Sequence, residues 1–201
     1  MPISTPDLQI LILAAGASRR MRGTDKLLQP VAGQPLLRHI AGQALATGLA
    51  VTVTLPPDRP ARAAALSGLP IRHIPVADAQ DGLAQSLRAG LASLPPQQAV
   101  MVLLADLPEI TTADLMQMAR AYADAPDQIL RATDASGQPG HPVIFPASLR
   151  AELMQLSGDD GARALLRRHA GLLRLIALPD RHATTDLDTP EDWATWRSGR
   201  E

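Results

Sequence analysis

The sequence predicts an α/β fold, a mainly parallel mixed sheet with helices on both faces, formed by one domain over residues 1–201. Three observations predict it. Leu8–Ala15 and Ala99–Ala105 are unbroken apolar runs, as expected of parallel strands buried on both faces. Segments with helical spacing of apolar residues alternate with such runs through the first half of the chain. Both apolar runs empty into small, basic or acidic residues, and parallel sheets bind ligands beyond the carboxyl ends of their strands.

In chain order, Leu8–Ala15 reads as the first buried strand. Leu36–Thr47 has Leu36, Leu37, Ile40, Ala44 and Leu45 on one helical face. Val51–Leu55 is a second strand, closed by Pro56-Pro57, and Pro60–Ser67 is a helix with proline in its first turn. Ile71–Pro75 is a short strand. Leu83, Leu87, Leu91 and Leu94 mark the core stripe of the next helix, which Pro95-Pro96 ends. Ala99–Ala105 is the central strand. Thr111 or Thr112 caps a helix whose inward residues are Leu115, Met118, Ala119 and Tyr122. Gln128–Ala132 and Val143–Phe145 are strands flanking a loop, Thr133–Pro142. Helices follow at 147–155 and 161–169, and late strands at Leu172–Leu178 and Ala183–Leu187. Thr189-Pro190-Glu191-Asp192 opens the last helix, with a threonine cap and acids in its first turn.

Composition narrows the function. The formal net charge of -1 gives no global attraction to nucleic acid or to an anionic membrane, so any basic cluster is a local feature. Aromatics at 2% exclude base stacking on aromatic platforms as a main binding mode. Cysteine is absent, which excludes disulfides, thiolate metal sites and a cysteine nucleophile, and suits the cytoplasm. The first apolar run is too short to span a bilayer and has no basic region before it, unlike a signal peptide.

The first loop has the chemistry of a polyphosphate cradle. Ala14, Ala15, Gly16, Ala17 and Ser18 are small enough for the backbone to approach a ligand and turn several N–H groups toward it. Arg19, Arg20, Arg22 and Lys26 add charge that pairs with phosphate oxygens. Neither GxxxxGK[ST] nor GxGxxG is present. After the central strand, LLADLP places Asp106 at the same sheet edge. A carboxylate facing a triphosphate repels it unless a divalent cation lies between, so Asp106 is a candidate Mg2+ ligand. The plain alternative is an aspartate that only turns the chain. Asp186 and Asp188 are two apart, so on an extended segment they face one side, and one or both could complete that site; the plain alternative is that Asp188 only prepares the start of the last helix. There is no Ser/His/Asp triad pattern, and the histidines show no zinc-binding spacing.

Six segments together resemble one family. LAAGASRRMRGTDKLL, GLAQSLRAG, LLADLP, GQPGHPVIF, GDDGARALL and DLDTPEDW follow in order over nearly the whole chain. This is similar to the molybdenum-cofactor nucleotidyltransferases, and in particular to their cytidylyltransferase branch. The first and third segments are shared with many nucleotidyltransferases; GHPV and GDxGAR are narrower. The resemblance implies a Rossmann-like nucleotidyltransferase fold. It implies attack by the phosphate of molybdopterin on the α-phosphate of a nucleoside triphosphate, with release of pyrophosphate and Mg2+ as cofactor. By matching position, Leu13, Ala14, Ala15, Gly16 and Ser18 would hold the nucleotide, and Arg20 and Lys26 the triphosphate. Asp106 would hold Mg2+, and Gly82 to Ser86 would lie beside the base or ribose. The guanine-using branch shows LAGG where this chain has Leu13-Ala14-Ala15-Gly16, so the alanine favours CTP. The resemblance further implies a molybdenum hydroxylase or its chaperone as recipient of the product. His141, set among glycines and prolines, is expected in the second substrate's pocket, on its phosphate or its pterin, or else as a structural histidine. Asp159, Asp160, Gly161 and Arg163 open a helix whose N–H groups could hold an anion.

Overall fold

The computed structural model describes residues 8–77, 83–158 and 161–200. Its centre is a seven-stranded sheet. The strands are β1 (Leu8–Leu13), β4 (Val51–Leu55), β5 (Arg72–Pro75), β6 (Ala99–Leu104), β7 (Ile129–Thr133), β8 (Pro139–Phe145) and β9 (Leu173–Ala177). Their spatial order is β5-β4-β1-β6-β8-β7-β9. β1 pairs in parallel with β4 and β6, β4 with β5, and β7 with β9, whereas β8 runs antiparallel to both of its neighbours. The carboxyl ends of β4, β1, β6 and β7 and the start of β8 therefore share one edge.

Two apolar layers sandwich the sheet, and the alternation along β1 sorts them. Ile10 and Ile12 point into the layer under α1 (Leu36–Leu45), α4 (Thr112–Asp124) and α7 (Pro190–Ser198). Leu11 and Leu13 point into the layer under α3 (Leu83–Ala92), α5 (Arg150–Leu153) and α6 (Gly161–Arg168). α2 (Pro60–Ala65) lies in the crossover between β4 and β5. A helix on each face is what a strand buried on both faces requires. Of the two cap candidates Thr111 and Thr112 it is Thr111 that forms a full capping box, with Asp114, and Thr189 caps the last helix as expected, with Asp192. Among the described residues no helix is long and apolar enough to cross a membrane.

Several elements differ from the sequence expectation. Ala183–Leu187 is not a strand. Asp180 is left-handed (φ 43), and the N–H groups of Thr184 and Thr185 both donate to the Arg181 carbonyl, each at 2.9 Å, so the chain turns instead of extending. Ala183 and Leu187 are apolar because they plug the core from this turn. The loop after β7 is shorter than expected, because β8 already begins at Pro139. The Asp134 carboxylate accepts from Ser136 N–H at 2.9 Å, Ser136 Oγ at 2.6 Å and Gln138 N–H at 3.0 Å, and with the backbone bond from Asp134 N–H to the Gln138 carbonyl at 3.0 Å it closes the reversal. Pro30–Val31 (β2) and Gln34–Pro35 (β3) form a small hairpin across the left-handed pair Ala32-Gly33, too short to show a period in sequence. The helix expected at 147–155 is a 3₁₀ turn followed by the short α5. Leu83, expected in the core stripe, is 39% exposed and lines a cavity.

The turn at 178–188 is held against β8 through Gly140. His141 N–H donates to the Ala183 carbonyl at 3.0 Å, and a Cβ on Gly140 would overlap that same carbonyl. Gly140→Ala is expected to destabilise the protein by about 1–3 kcal/mol, the usual range for overpacking, because backbone must move to make room. Chemical denaturation checks this, and the Ala183 carbonyl cannot relieve the clash as a flexible side chain would.

Candidate active site

The first loop begins where β1 ends. Ala14 and Ala15 are buried, and Met21 (3% exposed) anchors a 3₁₀ turn, Arg19–Met21, to the core. A second 3₁₀ turn, Lys26–Leu28, is capped by Asp25, whose carboxylate accepts from Leu27 N–H at 3.0 Å. Capping aims Lys26 back over the sheet edge. Its ammonium donates to Asp106 Oδ2 at 2.5 Å and to Asp188 Oδ1 at 2.6 Å. Arg20 reaches the other oxygen of Asp188 at 2.6 Å. Asp106 follows β6 directly. Asp188 stands just before α7, and that helix is fixed by Trp193 (2% exposed) in the core. Residues 80 and 162 positions from Lys26 thus meet on one ammonium.

The cluster is largely sheltered: the side chains of Lys26, Asp106 and Asp188 are 13%, 16% and 16% exposed. Burial works against the charge on Lys26, but Asp106 and Asp188 outweigh it and hold its pKa above the ordinary lysine value. Asp186 sits at the rim. Partial burial of its carboxyl, and then the nearby charges of Asp106 and Asp188, push its pKa up. Among the described residues no three acidic, histidine or cysteine side chains converge on one point; what converges is the pair Asp106 and Asp188. That pair fits a divalent cation. Asp106 keeps Oδ1 buried and without a hydrogen-bond partner, a hard oxygen available for a metal.

Two cavities flank the cluster along the sheet edge. One, of about 560 Å³, opens over the ends of β1 and β4 and is lined by Ala15, Ser18, Arg19, Thr24, Pro57 and Arg59 among others. The other, of about 530 Å³, lies over β6, β8 and β7. Leu87, Leu104 and Phe145 give it an apolar wall, and Arg131, Arg163 and Arg181 give it positive charge. Leu13, His141 and Asp186 also line it. Arg131 donates to the Gly140 carbonyl at 3.2 Å and feels the like charge of Arg163. Two guanidinium groups facing one cavity favour an anion between them.

The structure thus brings Arg20, Lys26, Asp106 and Asp188 together, with Ala15 and Ser18 at one cavity and His141, Leu13 and Asp186 at the other. Ala14 is buried under the loop, and its carbonyl accepts from Arg62 at 2.6 Å. Gly16 continues the loop, and a Cβ added there would meet nothing within 4 Å. Ser86 is buried (3% exposed) on α3 and lines neither cavity. Gly82, Asp159 and Asp160 lie outside the described residues. Sequence reasoning missed Asp25, Arg59 and Arg62. The signal was there: Arg62 is four residues before Leu66, on the inward face of an alanine-rich helix, where an arginine is out of place unless bonded.

Burial, more than any neighbour, depresses the His141 pKa to about 4, and its Nδ1 is buried without a partner. The imidazole is therefore neutral at pH 7. Its folded pKa lies below the ordinary value of 6.5, so the unfolded chain binds the extra proton between these limits. Stability from this group is complete above pH 6.5 and is lost as pH falls toward about 4. His141→Gln is expected to flatten the pH dependence of the denaturation midpoint in that window. An unchanged slope there would contradict the buried neutral state.

An α/β sheet of this order, with a cationic small-residue turn and an acid at adjoining strand ends, has the chemistry of a site for a nucleotide polyphosphate. Residues 10–172 match the MobA-like NTP transferase domain, and the chain belongs to that family. It is similar to the protein named nicotine blue oxidoreductase of Paenarthrobacter nicotinovorans, with 31% identity over 90% of this chain and 92% of that one. Among solved structures, Rv0371c of Mycobacterium tuberculosis H37Rv superposes with a TM-score of 0.84 at 27% identity, over 97% of this chain and 100% of that one. A structure of Rv0371c in complex with manganese gives a TM-score of 0.78 at 26% identity, over 94% and 97% of the two chains.

Proposed function

We propose that the protein transfers CMP from CTP to the phosphate of molybdopterin, or of the molybdenum cofactor, releasing pyrophosphate. The observation that carries this reading is the meeting of Lys26, Arg20, Asp106 and Asp188 at the sheet edge where both cavities open. The cavity beside Ala15 and Ser18 takes the nucleotide, and Ala15, where the guanine-using branch has glycine, favours cytosine. The cavity beside His141 takes the acceptor: its arginines suit a phosphate monoester, and its apolar wall a flat heterocycle. Asp106 and Asp188 would hold Mg2+, with Asp186 at the rim of the acceptor cavity. When bound there, the ion neutralises phosphate charge and polarises the phosphorus under attack. The manganese complex of Rv0371c supports a divalent ion.

The protein's own groups position and neutralise. An acceptor phosphate is already an anion near neutral pH, so no strong general base is needed. Loop N–H groups and Ser18 orient the triphosphate, and Arg20 and Lys26 offset charge on the departing pyrophosphate, Lys26 from a sheltered position and Arg20 from the surface. The neutral His141 contributes a hydrogen-bonding group to the acceptor and no charge. The test supplies CTP, GTP or ATP with Mg2+ and either molybdopterin or a sugar phosphate, and measures pyrophosphate. Release that needs both CTP and molybdopterin is expected. Release with a sugar or alditol phosphate would move the acceptor assignment, and tight molybdopterin binding without release would make the protein a cofactor carrier. The name of the Paenarthrobacter relative raises a second reading, an oxidoreductase. Redox turnover of nicotine blue by the purified protein with a nicotinamide cofactor would support it.

A further inference from the structure

We propose that Arg62 is the positioning residue of the nucleotide loop: it braces Ala14, Ser18 and Asp25 from behind and thereby sets where Lys26 and the loop N–H groups meet the triphosphate. The inference rests on the nucleotidyltransferase reading and adds to it a residue outside both cavities. Between Ala14 and Asp25 the chain has one 3₁₀ turn and no strand or α-helix. Ser18 (φ 51) and Arg22 (φ 50) are left-handed, a conformation that side chains other than glycine adopt only when their surroundings enforce it. Such a loop needs an external brace.

Arg62 has the bonds of one. Its side chain is fully buried, and a buried guanidinium persists only when its donors are satisfied. One terminal nitrogen donates to the Ala14 carbonyl at 2.6 Å. The other donates to Ser18 Oγ at 3.0 Å and Asp25 Oδ1 at 2.9 Å, and Nε donates to Asp25 Oδ2 at 2.7 Å. The two-pronged pairing with Asp25 fixes the guanidinium plane. Ala14 and Asp25 are the two ends of the loop, so one rigid group closes it, while a fourth bond secures the strained Ser18. Asp25 in turn caps the turn that carries Lys26. Arg59 assists, donating to the Ala17 carbonyl at 2.6 Å and to Asp25 at 3.2 Å, but it is 31% exposed and lines the nucleotide cavity. Arg62 touches neither cavity and acts only through the loop. A lysine offers a single charged point and cannot span these acceptors.

The test uses Arg62→Lys and Asp25→Asn in the full chain. Hydrogen–deuterium exchange of residues 14–26 is compared with that of β1 and β6, and KM is measured for CTP and for molybdopterin. Both variants are expected to melt cooperatively and to exchange faster in the loop with the sheet unchanged. KM for CTP should rise on the order of tenfold, the scale of a small misplacement, with KM for molybdopterin within about twofold. Unchanged loop exchange, or losses shared equally by both substrates in proportion to a lower melting temperature, would overturn the proposal. Should Arg62→Lys not fold, Asp25→Asn, which keeps the side chain's shape, decides alone. A wild-type protein that bound no nucleotide would sink the functional reading instead; loop exchange needs no nucleotide and still judges the brace.

Discussion

Asp106→Ala is expected to fold, to bind nucleotide, and to lose turnover by about 10²–10³-fold, the scale seen when one preorganised electrostatic group is removed from an active site. The fold survives because Asp106 follows β6 and is not part of the apolar core: Ala105 and Leu107 on either side are buried and carry the packing. Its loss removes one charged hydrogen bond, worth about 1.5–3 kcal/mol, while Lys26 keeps Asp188. Turnover falls because the oxygen left unpaired at Oδ1 is the one available to a cation. Manganese binding followed by electron paramagnetic resonance should weaken in the same variant. A variant with full turnover, or with unaltered manganese affinity, would remove Asp106 from the site.

Lys26→Ala is expected to lower turnover by a similar factor of about 10²–10³, but through the opposite charge. In the wild-type protein the ammonium lies between two sheltered carboxylates. Without it Asp106 loses its cation, Asp188 keeps Arg20, and the leaving pyrophosphate loses a positive charge. The two variants should therefore diverge on metal. Lys26→Ala releases Asp106 Oδ2 and Asp188 Oδ1 for manganese, with Arg20 still on the other Asp188 oxygen, and is expected to retain or tighten its binding, whereas Asp106→Ala weakens it. KM for the triphosphate should rise in Lys26→Ala and change little in Asp106→Ala without metal. Parallel behaviour of the two variants in both measurements would mean that the lysine and the aspartate serve one structural contact and not two chemical roles.

Much of this site was legible before any coordinates. Arg20, Lys26 and Asp106 each follow a long apolar run, and a parallel sheet sends such positions to one edge whatever the details of packing. The remainder depended on local bonding that has no period. Asp134 closes the β7–β8 reversal with its carboxylate and its backbone N–H, so a segment rich in glycine and proline, expected as a loop, is half strand. Ala183–Leu187 has the apolar content of a strand, but its N–H groups bond within the turn to Arg181 instead of to a neighbouring strand. Arg62 and Asp25 were passed over because charge in sequence reads as surface, and only the fold shows the guanidinium sealed beneath the loop.

By itself the sequence determined the alternation of strands and helices, the burial of β1 and β6, the edge at which the chemistry gathers, and the caps of α4 and α7. These follow from local spacing and from the geometry that all parallel sheets share. Tertiary structure alone decided that Asp188 and not Asp186 joins Lys26, that His141 is neutral and faces the second cavity, and that Arg62 braces the first loop. Each of these depends on which distant side chains meet, and on how much water remains between them, which residue spacing does not encode.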